Sequence, residues 1–155
     1  MELLFAEIAE RLSAIHQSLE KAIAGLPDEA LDWSPGPGMN SMGVVMAHAL
    51  GAERFWIGDV AGSEPSDRVR DAEFVASGVA VSAYIARSRE VLAHSQTVLS
   101  RLSPAELNDK RIVSPVGREE SLAWAVLHAL EHSALHAGHI EVTRQLWDQR
   151  AKGDR

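Results

Sequence analysis

The chain has seven histidines and no cysteine in 155 residues. Any metal it binds must therefore be held by imidazole and carboxylate, and any thiol chemistry must use a thiol brought in from outside. Four of the histidines, His128, His132, His136 and His139, share one stretch. At roughly 100° per helical residue they fall near 0°, 40°, 80° and 20° around the axis, so all project from one side. Histidines four apart on a helix face can grip one ion, each through a ring nitrogen. Two such ligands are one short of a catalytic zinc site's usual protein set. His48, set among Val44, Val45, Ala47, Leu50 and Phe55, is the leading candidate for the missing one. Burying several imidazoles without partners costs free energy, and they repel one another when protonated; a metal removes both problems. His16 and His94 read as surface or boundary residues. His128-Ala129-Leu130-Glu131-His132 also fits the H-x-x-E-H pattern of inverted zinc peptidases, with Glu131 as base, but the chain offers no obvious substrate-cleft element to go with it.

The elements that must position these side chains are helices. Leu4, Ile8, Leu12, Ile15, Leu19, Ala22, Ile23 and Leu26 recur at three and four, which predicts a core-facing helix from about Leu3 to Gly25, ended by Gly25 and Pro27. Ser34-Pro35-Gly36-Pro37-Gly38 must be a loop. Asn40 or Ser41 can cap a second helix reaching about Gly62. Ser63 to Gly78 reads as a polar loop with room for a short helical turn. A third helix is predicted from about Val79 to Leu102, with Val81, Ile85, Ser88, Leu92, Ser95 and Leu99 on one side. Ser103-Pro104-Ala105-Glu106 combines a capping box with proline at the first helical position. Lys110 to Glu119 is irregular around Pro115 and Gly117, with Arg111-Ile112-Val113 as a stub of strand, and a last helix is predicted from about Glu120 to Gln149. Four long helices with few strand signals predict an all-α four-helix bundle with short connecting helices, a single domain over 1–155. An internal echo fits this layout: Ser41 to Leu50 aligns with Ser121 to Leu130, bringing His48 onto His128, and Leu26 to Asp32 resembles Leu102 to Asn108.

Composition narrows the function classes. Apolar residues make up 46% and charged residues 24%, which is too apolar for a disordered chain. The net charge of −7, with basic residues scattered, gives no electrostatic footprint for nucleic acid. No apolar run is long enough to cross a bilayer, and the N-terminal residues lack the pattern of a signal peptide, so the expected location is cytoplasmic, with a small-molecule substrate and no membrane partner.

His48 together with His132-Ser133-Ala134-Leu135-His136-Ala137-Gly138-His139 resembles the DinB-like (DinB/YfiT) superfamily of metal-binding four-helix bundles. Asn40-Ser41, Glu53-Arg54-Phe55-Trp56 and the stretch from Glu141 to Leu146 with Arg144 share in the likeness, which spans Leu3 to Trp147. The resemblance implies a three-histidine site of His48, His132 and His136 holding a divalent transition metal, zinc or nickel foremost. His139 then stands where the family often has glutamine, and His128 lies one turn before the ligand pair; both are expected to support or wall the site, although the echo of His48 with His128 leaves a rival ligand open. The resemblance further implies transfer or isomerisation of a low-molecular-weight thiol of the mycothiol, bacillithiol or glutathione type. A metal-dependent hydrolase and a non-catalytic, stress-related metal-binding protein are the alternatives. Trp56, Trp124 and Met46 are candidate pocket walls or core. The family pattern and the apolar area of bundle helices are compatible with a homodimer.

Overall fold

The computed structural model describes residues 1–113 and 117–153, with side chains up to Arg150. Four long helices form the bundle: α1 (Leu3–Ile23), α2 (Met42–Glu53), α4 (Val81–Leu99) and α5 (Leu122–Gly153). α1 and α2 each pack against both α4 and α5, so they stand at opposite corners of a square. The single-turn α3 (Arg70–Glu73) leans on α2, and a two-stranded antiparallel hairpin, β1 (Lys110–Val113) with β2 (Arg118–Ser121), precedes α5. Among the described residues no helix is long and apolar enough to cross a membrane.

Local chemistry accounts for the ends of these helices. α1 stops at Ile23, and Gly25 takes the left-handed conformation at φ +72° that suits a residue just past a helix end. The Ser41 hydroxyl accepts the Val44 N–H at 3.3 Å to open α2, and the Ser121 hydroxyl accepts the Trp124 N–H at 3.1 Å to open α5. The sequence echo is thus structural: the two aligned serines cap the two helices that carry His48 and His128. The upstream pair matches as well, since Asp28–Leu31 and Pro104–Glu106 are both 3₁₀ turns and the second has its full capping box.

Two boundaries differ from expectation. α2 does not run on to Gly62 as α-helix; Arg54–Ala61 is π-helical, with the Gly62 N–H reaching Ile57 O at 2.9 Å. The stub of strand is half of a hairpin, which takes Glu120 and Ser121 from the start of the last helix. The polar stretch after Gly62 holds the single-turn α3, in line with the short helical turn expected there. Pro115, in the stretch expected to be irregular, lies outside the described residues.

The core is layered. One apolar layer contains Phe5, Leu12, Ile57, Leu99 and Leu122, and the other Leu19, Ile23, Met42, Met46, Leu50 and Ile140. Between them lies a polar layer around Glu53, whose side chain and that of His16 are each 1% exposed. His16 donates from Nε2 to Glu53 Oε2 at 2.9 Å and accepts at Nδ1 from the Ser88 hydroxyl at 2.8 Å. Ser95 and Ser133 donate to the same carboxylate at 2.8 and 3.1 Å. The reading of His16 as a surface or boundary residue is therefore corrected: it sits four residues after Leu12 on the core-facing stripe, and burial is tolerated because both ring nitrogens are satisfied. His94 is a boundary residue, paired with Glu64 at 2.8 Å.

Removing one partner of this layer leaves a desolvated carboxylate short of a donor. His16→Ala is expected to lower unfolding stability by about 3 kcal/mol in urea titrations; a loss below ~1 kcal/mol would contradict the structural role given to the layer.

Candidate metal centre

α2 and α5 pack side by side, and their seam brings three imidazoles together. Each of His48, His132 and His136 offers a ring nitrogen, and the three atoms lie within 4.8 Å of one another. The ring centroids are 4.3 Å apart for His132–His136, 4.9 Å for His48–His132 and 5.1 Å for His48–His136. His132 and His136, one turn apart on α5, point their Nε2 atoms at each other across 3.2 Å. Two nitrogens bound tetrahedrally to one zinc ion at about 2.0–2.1 Å stand about 3.3 Å apart, so this pair already has the spacing of co-ligands.

The remaining nitrogens show how the rings are oriented. His48 donates from Nδ1 to Glu73 Oε2 at 2.9 Å, which leaves Nε2 as its free lone pair. The same carboxylate takes two hydrogen bonds from Arg68, at 2.6 Å from Nε and 2.7 Å from Nη2. Burial alone would raise the Glu73 pKa, but the Arg68 and His48 contacts outweigh it and hold the group below the usual carboxylate range. A carboxylate on the far nitrogen of a histidine is the arrangement that fixes tautomer and ring orientation at metal sites. Gly51, one turn after His48, makes room for it, because a Cβ there would collide with the Glu73 carboxylate. On α5, His139 Nδ1 lies 3.3 Å from His136 Nδ1 and supports that ring from behind.

The two α5 imidazoles are kept neutral. Burial, then the neighbouring His136 and His48, push His132 down to about 3; burial with His48 and His139 pushes His136 down to about 4. His132 Nδ1 is buried without a hydrogen-bond partner. Unprotonated rings with converging lone pairs suit a cation, and the donor set fits a divalent transition metal.

A cavity of about 690 Å³ opens beside His48 and His132, walled by Phe55, Trp56, Ile112 and His128 with Arg68 and Arg70 among its charged residues. The π-helical segment supplies Phe55, Trp56, Asp59 and Val60 to this wall. His128 is not part of the triad. Its ring stacks on Trp124 at 4.5 Å and stands 5.6 Å from His132, so it is a wall residue. Glu131 is exposed on the outer side of α5 and does not join the cluster, which leaves the H-x-x-E-H pattern without its base. Met46 is core, and Trp124 lies at the surface. Sequence reasoning missed Arg68 and Glu73, which sit in a polar stretch with no periodicity; the only local hint is Gly51, a glycine inside a helix one turn from a candidate ligand.

The sequence profile of the DinB superfamily matches residues 11–140. The chain belongs to the DinB superfamily. Its fold is shared by a DinB-like protein from Bacillus cereus ATCC 10987, at a TM-score of 0.69 and 17% identity over 89% of each chain. A conserved protein from Enterococcus faecalis is similar at a TM-score of 0.70 and 16% identity, over 94% of this chain and 97% of the other. No curated protein matches the sequence.

The two depressed histidines set the sign of a pH effect. Their folded pKa values lie below the unfolded value, so the unfolded chain binds more protons as pH falls through 6.5, and stability present above that pH is lost towards pH 4. Metal-free protein is expected to melt progressively lower from pH 7 to pH 4. His132→Gln should lessen that drop by at least ~3 °C; identical slopes would contradict the neutral, buried state of the ring.

Proposed function

We propose that His48, His132 and His136 hold one divalent cation, zinc or nickel, and that the chain is a metal-dependent enzyme acting on a low-molecular-weight thiol. The convergence of three imidazoles from two helices at the edge of an open cavity carries this reading. Such an ion, when bound, supplies a Lewis acid that acidifies a coordinated thiol or water and leaves a position free for a guest. The other roles belong to the chain. Glu73, clamped by Arg68, holds the His48 ring with Nε2 inward. His139 Nδ1 accepts a hydrogen bond from the Nδ1–H of His136, which leaves His136 Nε2 as that ring's lone pair. Phe55, Trp56 and His128 exclude water from one side of the cavity and offer apolar and aromatic surface to the organic part of a substrate. Arg70, exposed at the rim and stacked on Phe74 at 4.7 Å, offers a cation to an anionic substituent.

With no cysteine in the chain, the nucleophile for thiol transfer comes from a cofactor or substrate. The cavity favours an enzyme over a purely sensing role, because a sensor has no need of an open position facing it. Hydrolysis is the alternative that uses the same site without a thiol.

Calorimetric titration with zinc or nickel is expected to give one ion per chain. His48→Ala and His136→Ala should abolish tight binding. Glu73→Gln, and Gly51→Ala through displacement of Glu73, should weaken it by about 10- to 100-fold with the fold intact by circular dichroism. Metal-loaded protein should accelerate conjugation of glutathione, mycothiol or bacillithiol to an electrophile, with the His48 variant inactive. Ester or amide hydrolysis that needs no thiol, with no thiol conjugation, would overturn the transferase reading in favour of the hydrolase.

A further inference from the structure

His136 meets a neighbouring imidazole on each side. Its Nε2 points at His132 Nε2 across 3.2 Å within the triad, and its Nδ1 lies 3.3 Å from His139 Nδ1 on the outer side. Both gaps match the spacing of about 3.3 Å between two nitrogens that share one tetrahedral ion. His136 and His139 are three residues apart on one helix, so the backbone alone holds them as neighbours. The outer gap is therefore a two-imidazole position of its own, separated from the triad by the His136 ring.

The two ends of this line of histidines have different surroundings. The cavity touches His128, His132 and His48, whereas His136 and His139 lie off its wall. His139 is exposed, and His132 and His136 are half-buried. A guest in the cavity thus approaches from the side of His48 and His132, while solvent reaches His136 from the side of His139. The triad is a good end point for an ion but a poor first target, because its nitrogens are turned inward and partly covered. An exposed imidazole beside it can capture an ion from water, and capture turns the next step into an intramolecular one. The net charge of −7 draws cations towards the chain.

The chemistry of one imidazole keeps the two positions in sequence. A neutral ring has a single lone pair, so His136 serves one side at a time. With its Nδ1 lone pair turned to the outer gap, Nε2 carries the proton and donates it to His132. With its Nε2 lone pair turned to the triad, Nδ1 carries the proton and donates it to His139. Going from the first state to the second releases one proton to water at Nε2 and takes one from water at Nδ1, so protons and charge balance.

We propose that His139 Nδ1 and His136 Nδ1 form a second, weaker cation site, a loading position through which a divalent transition-metal ion reaches the triad from the solvent side of α5. The proposal rests on the metal reading of the triad and assigns His139 to the rate of loading, not to the final affinity. His139→Gln separates the two, because an amide oxygen still accepts the His136 Nδ1–H but the second imidazole is gone. Cobalt uptake by stopped-flow absorbance and its release to a chelator should both slow by about tenfold in this variant. Equilibrium affinity should be unchanged, which requires the two factors to be equal. A His48→Ala/His132→Ala chain, folded by circular dichroism, keeps only the outer pair; it should bind one cobalt ion weakly and lose it when His139→Gln is added. Unchanged rates in His139→Gln would overturn the loading site. So would faster release at unchanged uptake, the behaviour of a residue that only steadies the ring. Cobalt binding by the double variant that is absent, or that survives His139→Gln, would overturn it as well. A wild-type chain that never binds cobalt tightly would instead refute the triad, and the double variant would still report on the outer pair.

Discussion

One buried carboxylate ties the four long helices together. Glu53 on α2 accepts from His16 on α1, Ser95 on α4 and Ser133 on α5, while Ser88 on α4 holds the other side of His16. Apolar layers above and below could slide past one another at modest cost, because leucine and isoleucine contacts are non-directional. Hydrogen bonds to a desolvated charge cannot slide without leaving it unpaired, which is far more costly. The polar layer therefore sets the register of α2 against α5. Glu53 is five residues after His48, and Ser133 is next to His132, so the contact that joins the two helices also sets His48 opposite His132 and His136.

On that frame the site is built from two kinds of support. The α5 imidazoles need little help, since i, i+4 spacing on a rigid helix puts their rings 4.3 Å apart. His48 comes from another helix and depends on Glu73, Arg68 and the space above Gly51 for its orientation. Burial then does the electrostatic work: with His132 near 3 and His136 near 4, the rings are unprotonated at neutral pH and present lone pairs to the seam. Part of the cavity wall is the π-helical segment that continues α2, so the helix bearing His48 also carries Phe55 and Trp56 to the mouth of the site.

Much of this was legible in the sequence for reasons that can be named. The helices announce themselves through three-and-four spacing, and their starts through Ser41 and Ser103, because those signals are local. The α5 histidine cluster was legible because imidazoles four apart on one helix need no knowledge of tertiary structure, and His48 because it stands on an apolar stretch; the choice of His132 and His136 over His128 came from the family resemblance. The buried layer was not, although Ser88 and Ser95 fall on the core stripe of α4 and His16 on that of α1; only their meeting with Glu53 explains why polar residues occupy those places. Glu73 and Arg68 were hidden for another reason. They lie in a stretch whose composition signals only a loop, and their role is fixed by contact with α2.

X-ray absorption at the zinc edge of metal-loaded protein tests the central claim most directly. The account predicts nitrogen or oxygen ligands at about 2.0–2.1 Å with the outer-shell scattering of three imidazoles, one of which is lost in His48→Ala. A spectrum with two imidazoles or fewer in the unsubstituted chain, or one unaltered by that substitution, would contradict a site shared between α2 and α5.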